Sequence, residues 1–326
     1  MRFEPAPFHG ELAEGPDGGE AVWAETSDGV RIRLGCWPRE DAAGTVLLFP
    51  GRTEYIEKYG RTAADLSARG YAVLAVDWRG QGLAQRLLPD AMKGHVGQFV
   101  DYQRDVEAMV DYAEARQLPR PFYLLAHSMG GCIGLRALVK GLPVNAAAFT
   151  GPMWGIRLSP STRPAAWALG WTSGLLGRAA AYAPGTKPDS YVMTEPFESN
   201  LLTRDREMYE YMRRQIAAVP EFGLGGPTLG WLHAALVETL ALSRLPSPDL
   251  PCLAFQGSDE RIVDTARIRS RMEHWPRGTL RVVPEGEHEV LMDKPVLRNM
   301  IADEIAGLFR AHAEPAALPD AQRQRA

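Results

Sequence analysis

The segment PFYLLAHSMGGCIGLRAL, residues 121–138, carries the clearest structural signal in the sequence. Its apolar run at residues 122–126 predicts a short buried strand, and the residues that follow Ser128 predict a helix. Ser128 stands at the turn between them, with the small residues Ala126 and Gly130 two positions before and after it. This pattern is typical of a nucleophile elbow, a strand–turn–helix that presents a serine above the end of a sheet. The usual pattern has glycine in place of Ala126, which is still small.

The elbow requires two further side chains, because a serine hydroxyl is a weak nucleophile until a base accepts its proton. In parallel sheets, functional residues gather at the carboxyl ends of the strands. One later apolar run ends in Asp259 and Glu260, and the next ends just before His288. The order serine, acid, histidine is the order found on this architecture. We therefore predict Ser128 as the nucleophile and His288 as the base, with one of the two adjacent carboxylates as the acid.

The remaining apolar runs predict an α/β fold. Alternating residues on both sides of Asp28-Gly29 predict an antiparallel hairpin. From Thr45 onward, continuous apolar runs alternate with helical stretches, which is typical of a parallel sheet covered on both faces. We expect a mostly parallel, doubly wound sheet with an antiparallel N-terminal edge.

The strand pattern stops at residue 153 and resumes near residue 251, and the stretch between is too long for a connecting loop. We expect an inserted helical cap, or lid, at residues 153–245. Residues 1–152 and 246–326 would then form a discontinuous core. Residues 312–326 are small, polar and proline-containing, so we expect a disordered tail there.

The composition limits the partners that the protein is expected to have. The 326 residues are 45% hydrophobic and 23% charged, which is ordinary for a globular enzyme. A net charge of -4 without clustered lysine and arginine argues against a nucleic-acid partner. No signal sequence is recognisable at the N-terminus, and no run reaches the roughly 18 apolar residues of a membrane span, so we expect a cytoplasmic location. The sequence makes no prediction of the oligomeric state.

Neither a metal nor a cofactor is expected. None of the seven histidines is paired at helical spacing with another histidine or a cysteine, as a zinc site would require. The phosphate-binding pattern Gly-x-x-x-x-Gly-Lys does not occur. The glycines of residues 223–230 lack the preceding strand and following helix that a dinucleotide-binding site requires. The cysteines, Cys36, Cys132 and Cys252, each lie in an apolar segment and are expected to be buried and reduced.

Several segments together resemble one family. They are FPGRTEYIEKYG, VDWRGQGLAQR, LLAHSMGGCIGLR, NLLTRD, GGPTLGW, FQGSDERIVD and EGEHEVLMDKP. They are similar to α/β-hydrolase fold serine hydrolases of the group that contains monoacylglycerol lipases and lysophospholipase L2 (the serine aminopeptidase-type, hydrolase-4 group). The resemblance extends from Thr45 to about Phe309 and includes parts of the cap.

The resemblance implies more specific roles. The family places its acid directly before arginine and an apolar pair, which favours Glu260 as the acid and leaves Asp259 as the alternative. The oxyanion hole would consist of the backbone N–H groups of Met129 and Arg52. Met129 begins the elbow helix, where N–H groups lack partners within the helix. For the Arg52 side chain we expect a salt bridge with Glu54, with a contact to a phosphate-bearing head group as the alternative.

The cap is expected to select the substrate. Trp154 and Trp231 are candidates for a substrate-binding slot above the serine, although such residues often form a cap's own small core. Residues 165–183 are a candidate for peripheral contact with a membrane, with a weak electrostatic component because only Arg163 and Arg178 are nearby.

The implied function is hydrolysis of carboxylic esters through an acyl-enzyme, as in a lysophospholipase or monoacylglycerol lipase-like esterase. The substrate would be a small, lipid-like acyl ester. Two other enzyme classes stay open: a carboxylesterase for small esters and a proline-iminopeptidase-type peptidase. The peptidase would need acidic cap residues facing the slot, for which the sequence offers Glu195, Glu198 and Glu207. A noncatalytic binding protein on the same fold is the remaining alternative.

Overall fold

The computed structural model describes residues 3–159 and 161–313. Its strands are β1 (Phe3–Ala6), β2 (Glu20–Glu25), β3 (Arg31–Trp37), β4 (Thr45–Phe49), β5 (Ala72–Asp77), β6 (Phe122–His127), β7 (Ala147–Thr150), β8 (Cys252–Gly257) and β9 (Gly278–Val283). Its helices are α1 (Gly10–Ala13), α2 (Gly60–Ser67), α3 (Tyr102–Ala115), α4 (Ser128–Val139), α5 (Thr162–Leu175), α6 (Tyr191–Thr194), α7 (Arg206–Ala218), α8 (Leu229–Ser243), α9 (Thr265–Glu273) and α10 (Pro295–Ala311).

The strands form one sheet in the order β1-β2-β3-β5-β4-β6-β7-β8-β9. Strands β1, β2 and β3 pair antiparallel, and β3 joins β5 antiparallel. From β5 to β9 every pairing is parallel. The predicted α/β-hydrolase fold, with its antiparallel N-terminal edge and mostly parallel sheet, is confirmed.

The central strands are apolar throughout because both faces of the sheet are covered. In β4, Leu47 and Phe49 belong to one buried cluster, while Val46 and Leu48 belong to another. This alternation is the period of two that a strand imposes on its side chains. Helices therefore pack on both faces, and the carboxyl ends of the parallel strands meet at one edge.

Four elements have no individual counterpart among the sequence predictions: β1, α1, α5 and α6. Strand β1 contains a proline, which is tolerated because it is an edge strand that pairs only with β2. Helices α1 and α6 are four residues long, and α5 contains Gly170 and Gly174, which weaken a helical pattern. The disordered tail predicted for residues 312–326 lies, from residue 314 onward, outside the described residues.

Helices α5 to α8 occupy the connection between β7 and β8, where the cap is predicted. Helix α8 also packs on the elbow helix α4: Glu238 of α8 binds Arg136 of α4, with Nε–Oε1 at 2.6 Å and Nη2–Oε2 at 3.0 Å. Ala235 and Leu242 of α8 belong to the same buried cluster as Cys132 of α4. The connection therefore contacts the core along a whole helix.

The three cysteines are buried and unpaired, as predicted. Across residues 3–159 and 161–313, no helix combines the length and the apolar character that crossing a membrane would require.

Candidate active site

The elbow places Ser128 at the junction of β6 and α4. Its φ of 49° lies in the left-handed region, which costs a non-glycine residue of order 1–3 kcal/mol and is common at active sites. Gly130 is required here, because a Cβ at this position would lie 2.1 Å from the carbonyl oxygen of Phe49 and 2.5 Å from that of Pro50. The turn after β4 therefore presses directly against the elbow.

Ser128, His288 and Glu260 form a continuous chain of hydrogen bonds. His288 Nε2 lies 2.8 Å from Ser128 Oγ, and His288 Nδ1 lies 2.6 Å from Glu260 Oε2. With Nδ1–H donating to the carboxylate, Nε2 is free to accept the serine proton. The other oxygen, Glu260 Oε1, accepts the backbone N–H groups of Ile262 and Val263 at 2.6 and 3.1 Å. These bonds hold the carboxylate in place, so that the imidazole faces the serine.

Asp259 is not part of this chain. Its carboxylate binds Arg204 at the surface, and 40% of its side chain is exposed. Glu260 is buried, whereas Asp259 lies in the partly exposed turn after β8. The geometry thus brings Glu260, and not Asp259, to His288.

The His288–Glu260 pair shifts the pKa of each residue in the direction that favours its charged form. Burial alone would lower the pKa of His288, but Glu260 outweighs it and the pKa lies above its usual value. Burial would likewise raise the pKa of Glu260, but His288 and the two backbone N–H groups keep it below its usual value. The carboxylate is therefore ionised at neutral pH and can stabilise a proton on the histidine.

Gly151, after β7, packs against this pair. A Cβ there would lie 3.1 Å from His288 Nδ1 and 3.2 Å from Glu260 Oε2. The absent side chain leaves room for the bond between the two residues.

The turn that carries Arg52 is held by side chains on three sides. Glu54 Oε2 accepts the Gly51 N–H, Gln81 Nε2 donates to the Gly51 carbonyl at 2.8 Å, and Trp78 Nε1 donates to the Pro50 carbonyl at 2.9 Å. This turn touches the elbow at Gly130, so the segments that carry Arg52 and Met129 are neighbours in the fold. The role of their backbone N–H groups as an oxyanion hole stays a prediction.

A buried charged cluster lies beside the histidine, and the sequence gives no sign of it. Lys58 Nζ is 2.6 Å from both Glu54 Oε1 and Glu289 Oε2, and all three side chains are about 5% exposed. His127 Nε2 lies 3.6 Å from Glu54 Oε1, and burial lowers the pKa of this histidine to about 3. Glu54, His127 and Glu289 are close enough to hold a metal ion. However, the Lys58 ammonium binds both carboxylates, so the cluster already contains its own cation.

A cavity of about 590 Å³ is lined by Ser128 and by residues of the connection 153–245, for which the predicted name, cap, is kept below. Ser128, His288 and Arg52 line its floor, and the cap contributes mainly apolar side chains. These cap residues include Met212, Ile216, Leu224, Trp231 and Leu232.

Trp231 thus lines the cavity, whereas Trp154 does not. The Trp154 ring packs between Phe149 and Trp275, and its indole N–H donates to the Gly131 carbonyl at 3.1 Å. This tryptophan supports the elbow helix from behind, so the geometry does not support a substrate contact for it.

The Arg52 side chain does not pair with Glu54, so the expected salt bridge is wrong. Lys58 and Tyr59 bind the Glu54 carboxylate at 2.6 Å each and leave no place for Arg52. Arg52 Nη2 instead donates to the carbonyl of Gly225 in the cap, and the guanidinium lies 5.4 Å from the ring centre of Trp231.

The fold and the serine–histidine–glutamate arrangement place the protein in the class of α/β-hydrolases. Residues 40–295 match the family described as Serine aminopeptidase, S33, and the chain belongs to this family. Lysophospholipase L2 from Escherichia coli (strain K12) is 32% identical over 300 residues, which cover 88% of this chain and 86% of that protein. The probable lysophospholipase L2 of Haemophilus influenzae is 30% identical over 266 residues, which cover 81% of this chain and 83% of that protein.

Solved structures share the fold at lower identity. A soluble variant of the monoglyceride lipase of Saccharomyces cerevisiae has a TM-score of 0.69 at 19% identity, covering 89% of this chain and 94% of that chain. A carboxyl esterase of Bacillus coagulans has a TM-score of 0.70 at 13% identity, covering 92% of this chain and 100% of that chain.

Proposed function

We propose that the protein hydrolyses lipid-like carboxylic esters through an acyl-enzyme on Ser128, as a lysophospholipase-type enzyme. The observation that carries the proposal is the hydrogen-bonded chain from Ser128 through His288 to Glu260 at the floor of a largely apolar cavity. The likeness to two lysophospholipases L2 at 30% identity or more supports the choice of substrate class.

The mechanism follows from this geometry. Ser128 Oγ attacks the ester carbonyl carbon while its proton moves to His288 Nε2. The carbonyl oxygen becomes an oxyanion that the N–H groups of Arg52 and Met129 stabilise. Collapse of this intermediate breaks the bond to the leaving alcohol, which takes the proton from His288. Water then attacks the acyl-serine and gives a proton to His288; the acid is released as the bond to Ser128 Oγ breaks and His288 returns the proton to Ser128.

The cap supplies the apolar part of the substrate site. We propose that residues 153–245 act as a lid, in which Trp231 and its apolar neighbours contact the acyl chain. Burying such a chain gains about 0.8 kcal/mol per CH₂ group. The enzyme should therefore favour long acyl chains over acetyl esters.

The peptidase alternative has less support. Of the three acidic residues that it calls for, Glu195 lines the cavity, where its Oε1 accepts the Ser199 hydroxyl at 2.6 Å. Glu198 and Glu207 bind Arg206 and Arg61 elsewhere. A free amino terminus in the cavity would thus meet one cap carboxylate of the three.

A fluorophosphonate probe and a series of p-nitrophenyl esters from acetyl to palmitoyl test the proposal. We expect labelling of the wild-type protein, none of Ser128→Ala, and the highest kcat/KM for a long chain. A sharp preference for acetyl would contradict the lipid substrate. Labelling of Ser128→Ala equal to that of wild type would contradict the mechanism. Faster turnover of proline p-nitroanilide than of any ester would favour the peptidase.

We also propose that the cap contacts a lipid surface through the end of α5. Trp171, Leu175 and Leu176 are 60%, 69% and 72% exposed, which is unusual for neighbouring large apolar side chains. A lipid surface is the occupant that fits an enzyme of lipid-like substrates, because such a surface also delivers the substrate.

A further inference from the structure

Arg52 is a cation in the cavity wall with no carboxylate partner among the described residues. Its Nη2 bonds only to a neutral carbonyl of the cap, that of Gly225, and its buried Nε has no hydrogen-bond partner. A guanidinium that is largely removed from water normally binds a carboxylate or another anion, because removing a charge from water is costly. Burial lowers the pKa of Arg52 to about 10, so the side chain is still charged at neutral pH.

The other charges of the cavity do not neutralise Arg52. The Glu54 and Glu289 carboxylates are both bound to Lys58, and Glu195 is bonded to Ser199. The cap also places Lys187 and Asp189, which are exposed and of opposite sign, at the edge of the cavity. Trp231 offers its ring face to the guanidinium, which is weaker compensation than a full negative charge.

The position of Arg52 relates this free cation to the reaction. Its backbone N–H is the proposed donor to the ester carbonyl oxygen, while its side chain extends along the cavity toward Gly94 and Gly225. A ligand could bind the backbone N–H through its ester carbonyl and the guanidinium through an anionic group. The distance between these two ligand groups would then be about the length of an arginine side chain. In a lysophospholipid a glycerol unit separates the acyl ester from the phosphodiester, which is a comparable span.

We propose that the Arg52 guanidinium binds the phosphodiester of a lysophospholipid and so selects phosphate-bearing substrates over monoacylglycerols. Arginine suits this task because its planar fork of N–H groups matches the oxygen atoms of a phosphate. The proposal rests on the proposed function, since it assigns the head-group side of the same site.

The test measures binding without turnover. Isothermal titration calorimetry compares two ether analogues with the same alkyl chain, 1-O-alkyl-glycerophosphocholine and 1-O-alkylglycerol, below their micelle concentrations. Neither has a carboxylic ester for Ser128 to attack. We expect wild type to bind the phosphodiester analogue more tightly by about tenfold or more, because a charge-assisted hydrogen bond is at stake. Arg52→Gln should abolish this ratio, and Arg52→Lys should keep part of it.

Arg86→Gln is the matched control. Arg86 also lacks a carboxylate partner among the described residues and donates to carbonyls of the cap, those of Glu221 and Gly223, but it does not line the cavity. It should leave the binding ratio unchanged, even if the fold loses stability.

Two results would overturn the subsite: equal affinities of the analogues for wild type, or an unchanged ratio in Arg52→Gln. Both are independent of catalysis. A protein that prefers the phosphodiester analogue but cleaves no ester would refute the proposed function and keep the subsite. A protein that cleaves esters but binds both analogues equally would refute the subsite and keep the proposed function.

Discussion

The Lys58 ammonium lies 2.6 Å from the carboxylate of Glu289, the residue that follows His288 in the chain. Lys58 also binds Glu54, whose carboxylate holds the turn of the proposed oxyanion hole. One buried cation therefore links the turn after β4 to the loop that carries the catalytic base. Both halves of the site depend on it for their position.

Replacing Lys58 by methionine should destabilise the protein by about 3–5 kcal/mol, because two buried carboxylates lose their counter-ion. Without the cation the pKa values of both carboxylates rise in the folded state, so folding takes up protons. The loss should therefore be larger at about pH 8 than at about pH 5. Urea denaturation at both pH values measures it. Lys93→Met, at a surface pair, serves as control and should cost less than about 1 kcal/mol. A pH-independent loss would contradict this account.

Glu260→Gln should lower kcat by about 10³- to 10⁴-fold, since the carboxylate orients His288 and stabilises its protonated form. Asp259→Asn should stay within about threefold of wild type, because this side chain binds Arg204 at the surface. Steady-state kinetics on one p-nitrophenyl ester compares the two. Similar losses in both variants would argue against Glu260 as the acid.

The pH dependence of kcat/KM should have an acid limb above about pH 6.5, the usual pKa of histidine. The base must be neutral to accept the Ser128 proton. Burial lowers the pKa of His288, but Glu260 raises it by more, so the net pKa lies above the usual value. Activity should thus fall as the pH drops through this raised value. In Glu260→Gln the carboxylate that raises the pKa of His288 is gone, while burial still lowers it. The acid limb of the residual activity should therefore lie at lower pH. A limb that does not move would mean that another group sets the profile.

Gly130→Ala should reduce both stability and activity, because its Cβ would collide with the backbone of the turn that carries Arg52. We expect a loss of about 1–3 kcal/mol or more in thermal or urea unfolding. Gly307→Ala in α10 is the matched control, since nothing lies within 4 Å of its added Cβ. It should be neutral or stabilising by up to about 1 kcal/mol. Tolerance of Gly130→Ala would show that the turn can shift without consequence.

Serine substitution of Trp171, Leu175 and Leu176 together should weaken the binding of the protein to phospholipid vesicles. Each side chain is mostly exposed, so the fold should keep its stability. Sedimentation with vesicles measures binding, and turnover of a soluble short-chain ester is the control, which should not change. Undiminished sedimentation would place membrane contact on another surface, and absent binding of wild type would exclude it.

The sequence predicts well those features that follow from local pattern. Continuous apolar runs indicate buried parallel strands, and Ser128 and His288 stand where such runs end. The motif after Glu260 favours it over Asp259, and the two backbone N–H groups that bind the other oxygen of Glu260 belong to that motif.

The sequence does not predict which side chains pair when the partners are far apart in the chain. Glu54 and Lys58 have the spacing of an ordinary solvated helix pair, yet both are buried, because Glu289 approaches from the far end of the chain. Arg52 has an acid two positions away but bonds to Gly225, which is 173 residues distant. Only the packing of the cap on the core decides such partners.

Helix α8 has a consequence for protein engineering. It places Trp231 in the cavity near its N-terminus and binds the elbow helix through Glu238 further along. It is also the last helix before the chain re-enters the sheet at β8. A chimera that imported a foreign lid as far as residue 245 would strip the elbow of a packing partner. The exchangeable module ends before Leu229, and swaps of acyl specificity between relatives should keep the native α8 and vary what precedes it.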